Sequence, residues 1–434
     1  MARRSSRVTG NAVAHAGARN NKSNVRGSAA VVGALEGRLI QCTGTWSDWL
    51  PIDIKPGQFW AKGTLTNGQC FGWRHQPGIQ EDDQFTGVLC DQVLQIRQSD
   101  PMSMALYRVA IPHHNNDQGQ VSKSRTRLHH FLRSDADLSA HYKQWASSDL
   151  QFSAFPEHFA GIRLLQQDPV ECLFSFICSS NNHITRITSI LNKLRDRFGV
   201  DIMVVDGVVY KQFPTIASLA ASSEEELKSL GLGYRARYIH QTAIALSNRP
   251  DNFLHDFHQR SQVEIQTELC QLMGIGRKVA DCISLFSMNQ LQVVPVDTHV
   301  LQIALKHYRD RIGSITKSQT LTPKVYNQIS TGFVSVFGEL AGWAHSILFT
   351  ADLPQFRDHL SPKKLDTNLE TGTAAEFNKT DVKPETNEVK CNTEQLDIKL
   401  RVNLKCESDG IKRKIPLDSV LSDLKRPTRA RRCL

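Results

Sequence analysis

The sequence predicts an α+β protein in which a mainly helical region follows an N-terminal antiparallel sheet. From about residue 45 to 150, short alternating apolar runs are separated by Gly, Asn, Asp and Pro, which is the pattern of antiparallel strands. From about 155 the apolar residues recur at helical spacing. We therefore predict a tail over 1–40, the β domain over 41–155, the helical domain over 156–355 and a second tail over 356–434.

The composition indicates a globular body between two basic ends. The 434 residues are 40% hydrophobic and 22% charged, with a formal net charge of +9. Residues 1–35 carry six Lys/Arg and no acid, while 411–434 carry eight Lys/Arg and two Asp, so each end contributes +6 and the remainder carries −3. A polyanion partner must therefore meet a local basic patch on the body.

Cysteine spacing and hydropathy exclude several classes of protein. None of the ten cysteines forms a Cys-x-x-Cys pair, so neither a zinc ribbon nor an iron–sulfur ligand set is visible, and we expect no cofactor. A secretory signal is absent, and no apolar run approaches the roughly 18 residues that span a bilayer. Reduced thiols inside a cell, and no membrane partner, are the expectation.

The predicted strands flank one turn of interest. The runs are 57–60 (GQFW), 71–73 (FGW), 85–89 (FTGVL), 93–96 (VLQI) and 106–111 (LYRVAI). Gly68 lies in the turn between the first two runs, and from the bare sequence a glycine there need be no more than a turn residue.

The predicted helical domain begins with residues that are typical of a helix N-terminus. Asp168, Pro169 and Glu171 have the order of an N-cap, a first helical residue and an acidic third position. Four small polar residues, 179–182 (SSNN), interrupt the apolar run before it resumes and ends near Gly199. The final strong helix is predicted from Phe333 to Leu348.

The stretch 261–299 predicts a helix-hairpin-helix. Ser261 and Glu264 have the order of a capping box, Gly274 and Gly276 permit a tight reversal, and a second helix follows at once. Free amides at that second helix form a site for an anionic oxygen, most simply a DNA phosphate. A shorter echo, Gly231-Leu232-Gly233, precedes by 43 residues and is suggestive of a repeat only.

Two residues in this stretch carry reactive groups. Lys278 lies in the first turn of the second helix, and Asp297 follows 19 residues later in the segment 293–299 (VVPVDTH). Burial and the helix N-terminus should lower the pKa of the lysine, whereas a carboxylate would act the other way. A lysine and a carboxylate in one cleft can displace a leaving group from a sugar carbon through an imine.

These segments resemble a known family. Residues 272–282 (LMGIGRKVADC), 294–299 (VPVDTH), 167–182 (QDPVECLFSFICSSNN) and 231–238 (GLGYRARY) resemble the eukaryotic 8-oxoguanine DNA glycosylase/lyases of the helix-hairpin-helix superfamily. The resemblance covers about 49–353. It implies base excision repair of double-stranded DNA that contains 8-oxoguanine paired with cytosine.

The resemblance also assigns roles. Lys278 is the implied nucleophile, and Asp297 the implied helix cap and stabiliser of positive charge. The carbonyl of Gly68 would meet the N7 hydrogen of the lesion, while Cys282 and Phe349 would face the two sides of the base and His345 its Watson–Crick edge. The implied DNA contacts are Asn181, Arg186, Tyr234, Arg235, Gly274, Gly276 and His299.

Three positions depart from the family pattern, and a cation is implied. His345 replaces a glutamine, His183 an asparagine and Met273 a hairpin proline. An imidazole offers one hydrogen bond where an amide offers two, so base choice should relax. The carbonyls of Cys270, Leu272 and Ile275 would hold a structural monovalent or divalent cation that bridges to phosphate, and the protein is expected to be a monomer.

Alternatives remain open at this stage. A monofunctional glycosylase with a water nucleophile would lack Lys278, and a catalytically silent DNA-binding protein would not need Lys278, Cys282 and Asp297 together. The acid-poor segment 1–35 is compatible with a disordered tail or a mitochondrial transit peptide. The basic segments after 411 predict nuclear import, so the nucleus, with the mitochondrion as a second site, is the expected location.

Overall fold

The computed structural model describes residues 43–79, 82–113, 118–150, 152–313, 315 and 320–360. The predicted N-terminal tail and the predicted C-terminal tail beyond residue 360, with the transit-peptide and nuclear-import segments, lie outside these residues. The strands are β1 (Gly44–Trp46), β2 (Leu50–Pro51), β3 (Trp73–Ile79), β4 (Asp82–Leu89), β5 (Gln92–Gln98), β6 (Leu106–Pro112), β7 (Asp201–Val205) and β8 (Val208–Lys211).

Helices make up most of the remainder. They are α1 (Ala61–Leu65), α2 (Gln118–Leu132), α3 (Leu138–Ser148), α4 (Phe155–His158), α5 (Pro169–Ser179), α6 (Ile184–Phe198), α7 (Ile216–Ala220), α8 (Glu224–Leu227), α9 (Arg235–Ser247), α10 (Gln262–Leu269), α11 (Arg277–Ser287), α12 (Thr298–His307), α13 (Arg309–Ile312), α14 (Pro323–Phe337) and α15 (Ala341–Asp352). The α+β class is confirmed.

The N-terminal sheet is antiparallel, as the alternating pattern predicts. Its order is β1-β6-β5-β4-β3, with β2 also paired to β6, and Ile96 lies opposite both Phe85 and Tyr107. These three side chains are buried with Phe131 of α2. The prediction of strands alone was wrong here, because 57–60 forms no strand and the helices α2 and α3 occupy much of 118–148.

A hairpin from the helical region covers part of the sheet. Strands β7 and β8 pair with each other, and Met203 and Val205 form a small core with Val93 and Ala110. The Trp46 indole N–H donates to Asp206 Oδ2 at 2.8 Å. The helical period of the surrounding sequence concealed this hairpin.

The start of α5 forms as predicted. Asp168 accepts hydrogen bonds from the amides of Val170 and Glu171, both at 2.9 Å, and Pro169 is the first helical residue. The side chain of Glu171 forms an ion pair with Arg195 of α6. The polar break before α6 is likewise present, and His183 caps α6 by accepting from the Arg186 amide at 3.4 Å.

The predicted final helix is two helices. Gly338, at φ +67°, separates α14 from α15. Helix α14 begins before the predicted start, Phe333, and α15 ends after the predicted end, Leu348. The stretch Pro323–Asp352 is long and apolar enough to cross a bilayer, but 61% of its most apolar window is buried inside the protein. The two helices are therefore core helices of the folded protein. Burial also continues beyond the predicted end of the domain, because Phe356 packs edge-on against Trp60.

The helix-hairpin-helix consists of α10 and α11. Ser261 and Glu264 form the predicted capping box, and Gly274 adopts φ +86°. On α10 the buried residues are Ile265 and Leu269, while Val263 is 74% exposed. Helix α11 buries Val279, Ile283 and Phe286.

Candidate active site

A small cavity lies where the sheet domain, the hairpin and α15 meet. Its volume is about 60 Å³, enough for a few water molecules. Its walls include most residues predicted to act on the base: Gly68, Lys278, Cys282, Asp297, His345 and Phe349. Residues from separate parts of the sequence therefore meet at one cavity.

Lys278 is held beside a carboxylate and an aromatic ring. Its Nζ lies 4.0 Å from Asp297 Oδ2 and 5.7 Å from the centre of the Phe176 ring. Burial acts to lower the pKa of Lys278, but Cys282 and Asp297 outweigh it, so the pKa stands above its ordinary value. Of the two opposing effects that the sequence indicated, the one that raises the pKa of Lys278 therefore prevails, and the lysine is an ammonium at neutral pH.

Asp297 caps α12 as predicted. Its Oδ1 accepts from the amides of His299 and Val300, each at 2.9 Å. The other oxygen is the one directed toward Lys278. The carboxylate is thus fixed by the helix terminus while one oxygen remains beside the lysine.

The turn that carries Gly68 is fixed by buried amide side chains. Asn67 donates to Thr350 Oγ1 of α15 at 3.0 Å and accepts from the Gln69 amide at 3.2 Å. The Gln69 side chain donates to the carbonyls of Thr64 and Arg163, at 3.0 and 2.9 Å. Gly68 itself adopts φ +90°, a conformation that favours glycine.

Cys282 and Phe349 line the cavity with His345. Burial raises the pKa of the Cys282 thiol to about 11, so the thiol is uncharged at neutral pH. Burial lowers the pKa of His345 to about 4, so the imidazole is also neutral. Both ring nitrogens of His345 are buried without a hydrogen bond of acceptable geometry among the described residues. A ligand edge could supply a partner for one of them.

Three of the predicted DNA contacts meet at the turn before α6, where the Tyr234 hydroxyl donates to the Ser180 carbonyl at 3.1 Å. Asn181 is exposed with φ +49°, Arg186 is exposed, and Tyr234 is 50% exposed. Arg235 is buried, and its guanidinium donates to the carbonyls of Ser180 and Asn181. The structure therefore uses Arg235 to hold the turn that presents Asn181.

The hairpin presents the start of α11 to solvent. Gly276 is the exposed N-cap residue, and it lacks a side chain to satisfy the first amides. At the implied cation position, the carbonyl of Leu272 accepts from the Ile275 amide at 3.2 Å, and the Met273 carbonyl accepts from Thr242 at 2.8 Å. A carbonyl has two lone pairs, so Leu272 can still ligate a cation.

His299 lies at the edge of the cavity beside Phe349. The two rings meet edge to face with centres 4.9 Å apart, and His299 Nε2 lies 3.0 Å from Asp352 Oδ2. Asp352 thus lies next to the imidazole that the resemblance assigns to a DNA contact.

Comparison with known proteins decides the family. Residues 51–173 match the family model of the 8-oxoguanine DNA glycosylase N-terminal domain, and 174–322 match that of the HhH-GPD superfamily base excision DNA repair proteins. An N-glycosylase/DNA lyase of Arabidopsis thaliana is 33% identical over 357 residues, covering 81% of this chain and 90% of the relative. The chain belongs to the 8-oxoguanine DNA glycosylase family. It is thereby a DNA glycosylase with lyase activity.

Other relatives agree with this assignment. An N-glycosylase/DNA lyase of Saccharomyces cerevisiae is 35% identical over 260 residues, covering 55% of the glycosylase described here and 69% of the relative. A solved structure of MBOgg1 with a low-affinity DNA ligand shares 26% identity and a TM-score of 0.58, covering 71% and 97%. The 8-oxoguanine glycosylase/lyase of Clostridium acetobutylicum, solved with DNA that has cytosine opposite 8-oxoG, shares 26% identity and a TM-score of 0.56, covering 68% and 91%.

Sequence reasoning missed several residues that shape the glycosylase site. Asn67 and Gln69 fix the Gly68 turn, Asp352 lies beside His299, and Phe176 faces Lys278. Only the Asn67-Gly68 pair carried a local signal, that of a turn. The others depend on contacts between segments far apart in the chain.

Proposed function

We propose that this glycosylase excises 8-oxoguanine paired with cytosine and then nicks the strand, with Lys278 as the nucleophile. The observation that carries the proposal is the approach of Lys278 Nζ to Asp297 Oδ2, 4.0 Å, inside the cavity that Gly68, Cys282 and Phe349 also line. Extrusion of the base from the duplex, at a cost of a few kcal/mol, would bring its sugar to this lysine.

The first step is displacement at the sugar. Lys278 loses its proton to solvent water, its nitrogen lone pair attacks C1′, and the bond from C1′ to N9 breaks with the electron pair leaving on the base, which takes up a proton. The carboxylate of Asp297 stabilises the positive charge that develops on the sugar. The bond from C1′ to O4′ then breaks, O4′ takes up a proton that the lysine nitrogen gives up, and the nitrogen is left doubly bonded to C1′ as a protonated Schiff base.

The second step is elimination. The cationic imine acidifies the hydrogens on C2′, so loss of one proton there expels the 3′ phosphate and breaks the bond from C3′ to O3′. Water finally hydrolyses the imine and restores the free lysine. Water can therefore complete the cycle without a metal or an organic cofactor.

Discrimination against guanine would arise at Gly68. The lesion carries a hydrogen on N7 where guanine has a lone pair, so a backbone carbonyl attracts the first and repels the second. An unpaired buried polar group costs roughly 1 to 3 kcal/mol, enough for about a tenfold or larger preference. The hydrogen bonds of Asn67 and Gln69 hold the turn in place for this contact.

The duplex would lie across the turn before α6 and the helix-hairpin-helix. Asn181 and Tyr234 would enter the gap left by the base, and Arg186 would hold the orphaned cytosine, while Arg235 would hold the Asn181 turn in place. The amides near Gly276 would bind phosphate. The carbonyls of Cys270, Leu272 and Ile275 would bind a structural cation at that phosphate. The protein would act as a monomer.

A nick and release assay tests the proposal. Duplexes with 8-oxoguanine opposite cytosine, 8-oxoguanine opposite adenine, and guanine opposite cytosine are incubated with excess protein. We expect base release and nicking for the first, slower release for the second and none for the third. Release of the base without nicking would favour a water nucleophile. If no base is released, a protein that only binds DNA would be the better interpretation.

Location follows from the tails and is a separate proposal. The basic segments 412–414 and 425–432 would direct the protein to the nucleus, and the segment 1–35 would direct a fraction to the mitochondrion. Fluorescent fusions that lack either end test this. Unchanged nuclear accumulation after removal of 411–434 would contradict the import signal.

A further inference from the structure

A buried tyrosine connects the helix of Lys278 to the loop of Asp297. Tyr326, on α14, is 5% exposed, and its hydroxyl accepts from the Val296 amide at 3.0 Å. The same hydroxyl donates to Asp281 Oδ2. Val296 directly precedes Asp297, and Asp281 lies one turn of α11 beyond Lys278. One hydroxyl group therefore bridges the two elements that carry the reactive pair.

The Asp281 carboxylate is held in place from other directions as well. It is 1% exposed, and its Oδ1 accepts from Gln266 of α10 at 2.7 Å. The Arg277 guanidinium lies 4.0 Å above the Tyr326 ring centre, and its Nε is 4.0 Å from Asp281, too long for a hydrogen bond. Burial raises the pKa of Asp281, while the Tyr326 and Gln266 hydrogen bonds act in the opposite direction.

We propose that Tyr326 is a positioning residue that sets the separation between Lys278 and Asp297. The inference rests on the proposed lysine mechanism. Without the hydroxyl, the buried Val296 amide and the Asp281 carboxylate each lose a hydrogen bond, so both relax toward other partners. A shift of about 1 Å in a reacting group can cost on the order of 100-fold in rate.

Tyr326→Phe tests this role, and Tyr308→Phe is the matched control. Tyr308 is also buried, at 3% exposed, and its hydroxyl donates to a carboxylate, Asp149 Oδ2, at 2.7 Å, but Asp149 lies at the end of α3 and not on α11 or the loop before α12. Both variants keep the ring, but Tyr326→Phe loses two hydrogen bonds and Tyr308→Phe loses one. Tyr326→Phe should therefore lose more thermal stability, so both rates are measured at a temperature where each variant is fully folded, which separates positioning from folding.

The measurement is the single-turnover rate of 8-oxoguanine release from duplex DNA, taken across pH. For Tyr326→Phe we expect a rate about 10- to 100-fold lower with unchanged DNA affinity, and about threefold or less for Tyr308→Phe. The groups that face Lys278 are Cys282 on its own helix, Asp297 on the loop and neutral His345 on α15. The rate should rise with pH as Lys278 loses its proton, and this rise is the acid limb of the rate profile. If Asp297 moves away, the pKa of Lys278 falls and the acid limb shifts to lower pH.

Each outcome decides something. A slower Tyr326→Phe with a shifted acid limb supports positioning. A Tyr326→Phe rate equal to that of the wild type overturns positioning and leaves the lysine mechanism intact. A slower Tyr326→Phe rate does the same if its acid limb has not moved and Tyr308→Phe loses as much rate. A wild-type protein that releases no base overturns the proposed function, and this inference with it.

Discussion

Two Gly-x-Gly turns open helices in this protein, and they serve different purposes. Gly231 adopts φ +92° before α9, and Gly274 adopts φ +86° before α11. The second residue after each closing glycine is basic, Arg235 in the first turn and Lys278 in the second. The local sequences are therefore alike, but the backbones agree only at the first glycine, because Gly233 has φ +58° and Gly276 has φ −91°.

The surroundings of the two basic side chains differ. Arg235 is buried against the carbonyls of Ser180 and Asn181, where it holds a turn. Lys278 is 33% exposed in a cavity opposite Asp297. The comparison teaches that a hairpin supplies a phosphate contact, whereas chemistry depends on what the tertiary structure places opposite the helix start.

Replacement of each basic residue by glutamine, one at a time, gives the largest expected contrast. Lys278→Gln should slow base release by at least about 10³-fold, as the loss of a nucleophile does, while DNA binding remains. Arg235→Gln should weaken DNA binding and still release base at saturating protein. Single-turnover kinetics and fluorescence anisotropy measure the two effects. Equal losses of rate at saturation would contradict the division between the turns.

Removal of the carboxylate should come next. Asp297→Asn keeps a good N-cap, so α12 should stay formed, but the charge on the developing sugar cation loses its partner, and the rate should fall about 100-fold. Because Asp297 raises the pKa of Lys278, its loss lowers that pKa. The acid limb of the rate profile should move to lower pH. A limb that stays in place would show that the pair is not coupled.

The glycines themselves should differ in stability. A Cβ at Gly274 would lie 2.7 Å from Tyr238 of α9, whereas one at Gly231 meets only Lys193 Nζ, at 4.0 Å. Both alanine variants pay about 1 to 2 kcal/mol for the left-handed backbone, and Gly274→Ala adds about 1 to 3 kcal/mol of overpacking. Urea unfolding measures the difference. Equal midpoints and slopes would mean that Tyr238 moves aside freely.

The smallest effect concerns the base edge. His345→Gln offers two hydrogen bonds in place of one, and a hydrogen bond is worth about 0.5 to 1.5 kcal/mol. The preference for 8-oxoguanine over 8-oxoadenine should therefore rise about 2- to 10-fold, measured as the ratio of single-turnover rates. An unchanged ratio would mean that His345 does not read the Watson–Crick edge.

Local signals were sufficient for the element starts and the hairpin. The Asp168 cap, the capping box at Ser261 and the glycine turn at Gly274 each use neighbours within four residues, so their sequence patterns determine them. Helix α2 was missed because the alternating strand pattern was extended through it, and the end of α14 depends on a single glycine, Gly338.

The assembled site was predictable only as a resemblance. Sequence patterns indicated a lysine and a carboxylate but not their separation, which depends on contacts such as that of Tyr326 with Val296 and Asp281. The net direction of the pKa shift of Lys278 could not be predicted for the same reason. It results from a balance between burial and the neighbours Cys282 and Asp297, which the folded structure sets.

The most direct test of the central claim is borohydride trapping with peptide mapping. Borohydride reduces a protonated imine to a stable amine, so the full-length protein is incubated with a duplex that contains one 8-oxoguanine opposite cytosine, reduced, digested and mapped by mass spectrometry. The account predicts a single adduct on the peptide that contains Lys278. An adduct on another lysine or on the amino terminus, or base release with no adduct at all, would contradict it.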